Sequence, residues 1–298
     1  MNPMPATRAR SIPTLLRDVL GLMKLRIGVM IMLTALVGML VTPGTYPGLN
    51  ATLVLALSVL VASASAGMFN QYFEADQDHR MARTRRRAFV TGALPHSRLW
   101  LLPMALMLLL AVAAAWFYVN PVAAAFVFLG ALFYGVVYTV WLKRRTAWNI
   151  VIGGLAGSFS VLAGGAAVLP ELAPVPLLFA LVLFLWTPPH FWSLAIANRE
   201  EYAAAGVPML PVVVGVPRAA STVFVSTVLL VAASLLPAAF GLGPIYLVGA
   251  LAGGVYFLWR AYQLMRQPQR GEAMRSFHAS LLQLSLLLIA ACVDRAVA

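Results

Sequence analysis

Residues 51–87 read ATLVLALSVLVASASAGMFNQYFEADQDHRMARTRRR, and the fold turns on the change of character near Asn70. No charged residue occurs between Ala51 and Phe73. The eighteen positions Asn70–Arg87 then hold three of the chain's nine acidic residues and five of its 21 Lys and Arg. An uncharged apolar run of about 17 to 25 residues is what a helix needs to cross the hydrocarbon of a bilayer. A charged segment directly after it is what emerges on the far side.

Working outward, the same pattern recurs along the chain. Nine apolar runs stand out, at 27–45, 50–69, 99–118, 121–141, 149–169, 173–192, 219–239, 242–263 and 278–297. Overall the chain is 62% hydrophobic and 10% charged, with mean hydropathy +0.88, which excludes an ordinary water-soluble globule. In hydrocarbon every backbone N–H and C=O has to be paired within its own segment, so runs of this length and uniformity are helices and not barrel strands. The expectation is an all-α integral membrane protein with about nine transmembrane helices in one bundle. The linkers are too short for a separate soluble domain, so 1–298 reads as a single domain, with 1–26 as its cytoplasmic N-terminal segment.

Charge orients the bundle, because short cytoplasmic loops retain Lys and Arg. With the N-terminus cytoplasmic, Arg8, Arg10, Arg17, Lys24, Arg26, Arg80 to Arg98, Lys143 to Arg145, Arg199, Arg218 and Arg260 to Arg275 all fall inside, and only Arg295 falls outside. Topology and an anionic leaflet therefore explain the net charge of +12 without nucleic acid. The lone Cys292 excludes an intramolecular disulfide. The first apolar run lacks a small-residue cleavage site and reads as a signal anchor. The Arg-bearing start resembles a short mitochondrial presequence, but a bacterial inner membrane is the preferred location.

The charged stretch also carries chemistry. Asn70, Glu74 and Asp78 recur every four residues, so a helix would line all three oxygen-bearing side chains on one face. Stacked carboxylates repel, and hard oxygen donors that only partly surround an ion suit Mg²⁺ completed by substrate phosphates. Asp76 lies off that stripe and would join only where the helix ends or bends. Arg83, Arg86 and Arg87 follow with planar donors suited to paired phosphate oxygens, although the same arginines also serve as topology signals.

Two further clusters stand out. After the sixth run, His190 lies among Trp186, Phe191 and Trp192 beside Pro188 and Pro189, with Glu200 and Glu201 beyond it. An ionisable group at membrane depth is a functional candidate by default. After the fourth run, Tyr134, Tyr138 and Trp141 precede Lys143, Arg144 and Arg145, an arrangement that fits either an interfacial aromatic belt or a cavity wall. Gly153, Gly154 and Gly157 are expected to let helices approach closely. The placement suggests two copies of one plan, with two polar loops facing each other over a cavity open to lipid and cytoplasm.

The motif at Asn70, Glu74 and Asp78, the span pattern and the second acidic loop resemble the UbiA superfamily of membrane prenyltransferases. Within it, DQDHRMARTRRR, YTVWLKRRTAWNIVIGG, WTPPHFWSLAI and EEYAAAGVPMLPVV are similar to the protoheme IX farnesyltransferase family. That resemblance implies farnesyl transfer from farnesyl diphosphate to the vinyl group of heme B with addition of water, giving heme O and diphosphate. It implies Mg²⁺ held by Asn70, Glu74, Asp78 and Asp76, with Glu74 standing where Asp is more usual. Catalytic roles fall to Asn70, Glu74, Asp78 and His190, and substrate contacts to Arg83, Arg86, Arg87, Tyr138, Lys143, Arg144, Glu200 and Glu201. Heme A synthase and terminal oxidase assembly proteins are the implied protein partners. Two rivals stand beside this reading: prenylation of an aromatic quinone precursor, and a non-catalytic heme-holding or transport protein.

Overall fold

The computed structural model describes residues 12–297, so Arg8 and Arg10 of the charge partition, together with the first part of the 1–26 segment, lie outside the described residues. Among the described residues the regular structure is helical throughout. The first half contains α1 (Ile12–Leu22), α2 (Leu25–Val41), α3 (Leu49–Phe73), α4 (Ala75–Asp78), α5 (Leu101–Tyr118), α6 (Pro121–Leu132), α7 (Asn149–Gly153) and α8 (Leu155–Val168). The second half contains α9 (Pro174–Ala197), α10 (Arg199–Ala204), α11 (Leu210–Val213), α12 (Val216–Leu235), α13 (Pro244–Arg266) and α14 (Arg270–Val297). A π-helical segment, Phe133–Leu142, continues α6.

Among the described residues eight helical segments are long and apolar enough to span a membrane, and α1 with α2 form a ninth if the bent pair is one span. The expected first run at 27–45 is corrected in detail. Its helix, Leu25–Val41, is 17 residues long, and it joins α1 at a 47° bend. Lys24 makes that bend in the left-handed region, at φ 50. Gln71 Nε2 donates to the carbonyls of Gly21 and Leu22, which the end of α1 leaves without helical partners.

The outward faces are apolar. On α5 only Met104, Ala111 and Ala115 are buried, while Leu102, Leu109 and Leu110 are 73%, 65% and 59% exposed. A patch of that kind in water would drive association, whereas lipid solvates it. Inside, small residues set the helix spacing because apolar burial gives little net attraction between helices already in lipid. A Cβ on Gly38 would lie 2.3 Å from the Val161 carbonyl oxygen, and one on Gly164 would lie 1.8 Å from that of Ala35. These contacts lock α2 against α8. Gly153 and Gly154 likewise receive Tyr138 and Thr187, but Gly157 faces open space and makes no close helix contact, contrary to the expectation for it.

Candidate active site

The α3 helix delivers the first acidic group and then stops. Glu74, at φ −94 and ψ 3, interrupts the helical geometry, and α4 resumes at Ala75, so the expected unbroken helix through Asp78 is not present. The i→i−4 bonds nevertheless carry across the break, with Glu74 N–H donating to Asn70 O at 3.0 Å and Asp78 N–H to Glu74 O at 2.9 Å. Asn70, Glu74 and Asp78 therefore remain on one side, and all three are buried.

Buried carboxylates are stable only when paired. Lys143 Nζ donates to Glu74 Oε1 at 2.5 Å. The Arg87 guanidinium donates to Asp78 Oδ2 at 2.5 Å and lies 4.0 Å from Glu74 Oε2. Lys24 Nζ donates to Asn70 Oδ1 at 2.5 Å and to the Tyr134 hydroxyl at 3.0 Å. Three basic side chains thus converge on two carboxylates and an amide oxygen, a setting suited to an anionic ligand.

The π-helical segment provides the opposite wall. Its wide turn, shown by Lys143 N–H donating to Tyr138 O five residues earlier, brings Tyr134, Thr139 and Lys143 onto the side of the acidic cluster. Asn70 Nδ2 donates to Thr139 Oγ1, which donates to Tyr134 O. That chain fixes the amide so that its oxygen points at Lys24. Tyr138 stacks on Tyr134 at 5.9 Å, with the Lys143 ammonium 5.7 Å from its ring centre.

Not every expected residue joins the cluster. Asp76 projects outward with its side chain 62% exposed and accepts two hydrogen bonds from Arg144. Partial burial would raise its pKa, but the two Arg144 bonds and the guanidinium charge outweigh that and hold it below its ordinary 3.8. Arg83 and Arg86 are exposed. Arg83 nevertheless reaches the second loop electrostatically, since burial pushes the Tyr202 phenol up while the Arg83 charge opposes it. The two loops do meet: Met81 packs in one apolar cluster with Tyr202, Val207 and Met209. Glu200 is exposed, Glu201 is half-buried, and both line a 350 Å³ cavity with Arg199 and Arg270. His190 lies apart, with Trp186, Phe191, Phe277 and Ser280 as its partners, none of which belongs to the acidic cluster.

Among the described residues no three His, Cys, Asp or Glu side chains converge on one point. The available donor set is two carboxylates and an amide oxygen. That set fits Mg²⁺, which keeps few protein ligands and takes the rest from water and phosphate. Arg87, set between the carboxylates of Glu74 and Asp78, already marks a cationic position there.

Lys24 and Thr139 belong to the cluster but escape the sequence reading, whereas Tyr134, which the sequence offers as either belt or cavity wall, lies at the cluster through its hydroxyl. In the sequence Lys24 reads only as a topology charge. Its setting, a single ammonium between GLM and LRIG at the margin of an apolar run, was the available signal.

Comparison with known proteins extends these findings. The sequence profile of the UbiA prenyltransferase family matches residues 31–287. Protoheme IX farnesyltransferase 2 of Paramagnetospirillum magneticum is 54% identical over 94% of this chain and 97% of its own length. Protoheme IX farnesyltransferase 1 of the same organism is 46% identical over 94% of this chain and 98% of its own. The protoheme IX farnesyltransferase of Shewanella denitrificans is 40% identical over 93% and 92%. Among solved structures, a digeranylgeranylglyceryl phosphate synthase matches at TM-score 0.79 with 19% identity, covering 94% of this chain and 98% of that one. A UbiA homolog from Archaeoglobus fulgidus bound to DMAPP and Mg²⁺ matches at TM-score 0.69 with 18% identity, covering 91% and 99%. At those identities the structural likeness speaks to the fold.

Proposed function

The chain belongs to the UbiA prenyltransferase family, and from that premise we propose that it transfers a farnesyl group from farnesyl diphosphate to a vinyl group of heme B, with addition of water, giving heme O and diphosphate. The observation that carries the reading is the convergence of Asn70, Glu74 and Asp78 with Lys24, Arg87 and Lys143 in one buried cluster. The choice of heme as acceptor is supported by the names of relatives 40 to 54% identical over nearly the whole chain.

In this reading Asn70, Glu74 and Asp78 hold Mg²⁺, which when bound neutralises charge on the diphosphate. The remaining work falls to the chain's own groups. Lys24, Arg87 and Lys143 stand ready to stabilise charge that develops on the leaving diphosphate as the allylic C–O bond lengthens. Arg83 and Arg86 extend the cationic rim, and Arg144 is engaged by Asp76, which sits outside the ligand set. The apolar helices shield the allylic cation from premature capture by bulk water, and the aromatic faces of Tyr134 and Tyr138 favour positive charge nearby. His190 serves the heme, and Glu200 and Glu201 border the second loop.

The same reading makes residues 1–298 one domain of a bacterial inner-membrane protein. The N-terminus and both polar loops are cytoplasmic, and heme A synthase and oxidase assembly proteins act downstream. Mass analysis of hemes extracted from cells with and without the protein tests it. A farnesylated, hydroxylated heme that depends on the protein is the expected result. Unchanged heme together with a prenylated hydroxybenzoate would assign the quinone-precursor reaction instead.

A further inference from the structure

The seam between α9 and α14 holds polar groups that the diphosphate chemistry leaves unused. His190 is 6% exposed, and its ring stacks on Trp186 at 4.0 Å and on Phe277 at 4.6 Å. Two rings at those separations, tilted by 19° and 29°, cannot share one face of the imidazole, so the imidazole plane is set between them. Rotation within that plane is set by Ser280, whose Oγ lies 2.7 Å from His190 Nδ1. The backbone of Ser280 is tied to α9 as well, because Trp186 Nε1 donates to its carbonyl at 2.9 Å.

The hydrogens in this contact can be counted. A serine hydroxyl carries one, and a carbonyl oxygen can only accept. Ser280 Oγ lies 2.6 Å from Phe277 O, which therefore takes the hydroxyl hydrogen. Nδ1 must then be the donor, which leaves Nε2 with its electron pair. The reverse assignment, with Ser280 donating to Nδ1, gives up the Phe277 bond. It also puts a hydrogen on Nε2, which has no polar partner among the described residues. That arrangement makes one hydrogen bond fewer between the same three groups.

We propose that Ser280 is a positioning residue: its hydroxyl holds His190 as the Nδ1–H tautomer and so leaves the Nε2 electron pair free to ligate the iron of a porphyrin. A hydrogen-bonded partner on the second ring nitrogen is the usual way a metal-binding imidazole is given its tautomer and orientation. One turn further along α9 and one turn back along α14, Ser193 and Ser276 meet at 3.0 Å and hold the same two helices together, so the arrangement does not depend on a single contact. The iron-ligation part rests on the heme reading given above, whereas the tautomer does not.

The test uses the full chain in detergent, labelled with ¹⁵N-histidine and free of heme, with the His190→Asn variant identifying the resonances of that ring. Protonated and bare imidazole nitrogens resonate far apart. The expected result is a bare Nε2 in the wild type and in Ser280→Thr, and conversion towards the Nε2–H form in Ser280→Ala. Heme affinity in Ser280→Ala is expected to fall by about tenfold, with KM for farnesyl diphosphate unchanged and Ser280→Thr restoring the loss. A wild-type ring protonated on Nε2, or a ring indifferent to Ser280→Ala, overturns the proposal. If the tautomer responds as expected in a protein that leaves heme unmodified, the positioning role is supported and the heme reading is what fails.

Discussion

Lys143 donates to Glu74 at 2.5 Å, joining the π-helical segment to the break after α3 across 69 residues of sequence. Both side chains are shielded from solvent, at 11% and 3% exposure. Removing Lys143 leaves the buried Glu74 carboxylate with only the Arg87 guanidinium, 4.0 Å from its other oxygen, and breaking a buried pair costs up to about 3 to 5 kcal/mol. Lys143→Met is therefore expected to lower unfolding stability by that amount. The double variant Lys143→Met/Glu74→Gln should regain most of the loss without regaining turnover. Denaturant titration in detergent beside a turnover assay checks both halves.

Asp78→Asn keeps the shape of the side chain and removes its charge. The bond to Arg87 loses its ionic character, and the cluster loses one of its two carboxylates. Turnover is expected to fall by about 10² or more. The extracted protein should stay folded and keep its heme affinity, a combination that separates an enzyme from a heme-holding protein. Steady-state rates and heme titration on the same preparation measure the two quantities.

The Asp76–Arg144 pair lies towards solvent, with side chains 62% and 33% exposed. Asp76→Asn is expected to change stability by no more than about 1 kcal/mol and to leave turnover within a few-fold of wild type. The Asp76 pKa is depressed, so its contribution is present above 3.8 and is lost as the pH falls through the lower folded value. Unfolding midpoints of wild type and Asp76→Asn should differ slightly at pH 6 and converge in acid below pH 3.8. Convergence at high pH instead would contradict the pairing.

At the other end of α14, Asp294 caps the start of α13. Its carboxylate accepts from Gly243 N–H at 2.5 Å and from Tyr246 N–H at 3.2 Å. Asp294→Ala is expected to cost about 1 to 2 kcal/mol through the lost cap. Turnover should be untouched once the protein is folded, since the cap lies at the bundle end away from Glu74. Thermal unfolding in detergent and the rate at a temperature well below the midpoint test this together.

The helices and most of the acidic cluster were legible before any coordinates, for a physical reason. Hydrocarbon allows only long uncharged helices, and Asn70, Glu74 and Asp78 repeat at the helical period. The sequence did not reveal how the chain departs from regular geometry. Lys24 reaches Asn70 because a left-handed residue bends α1 away from α2, and one residue's propensity does not announce such a bend. Tyr134 and Thr139 reach the cluster because the segment after α6 winds as a π-helix, which shifts their phase relative to an α-helical count. Asp76 stands outside because Arg144, distant in sequence, offers it a bidentate partner at the surface. His190 was noticed as an ionisable group at depth, but its tie to Ser280 required knowing that α9 and α14 are neighbours.

The central claim is that the cluster of Asn70, Glu74 and Asp78 drives metal-dependent prenyl transfer to heme. The most direct measurement gives purified protein heme B and farnesyl diphosphate, with Mg²⁺ or with a chelator, and reads the heme by mass. The account predicts that heme gains a farnesyl group and a hydroxyl with Mg²⁺, that chelation abolishes the gain, and that added Mg²⁺ restores it. Full product formation in exhaustive chelator, or unmodified heme in the presence of Mg²⁺, would contradict it.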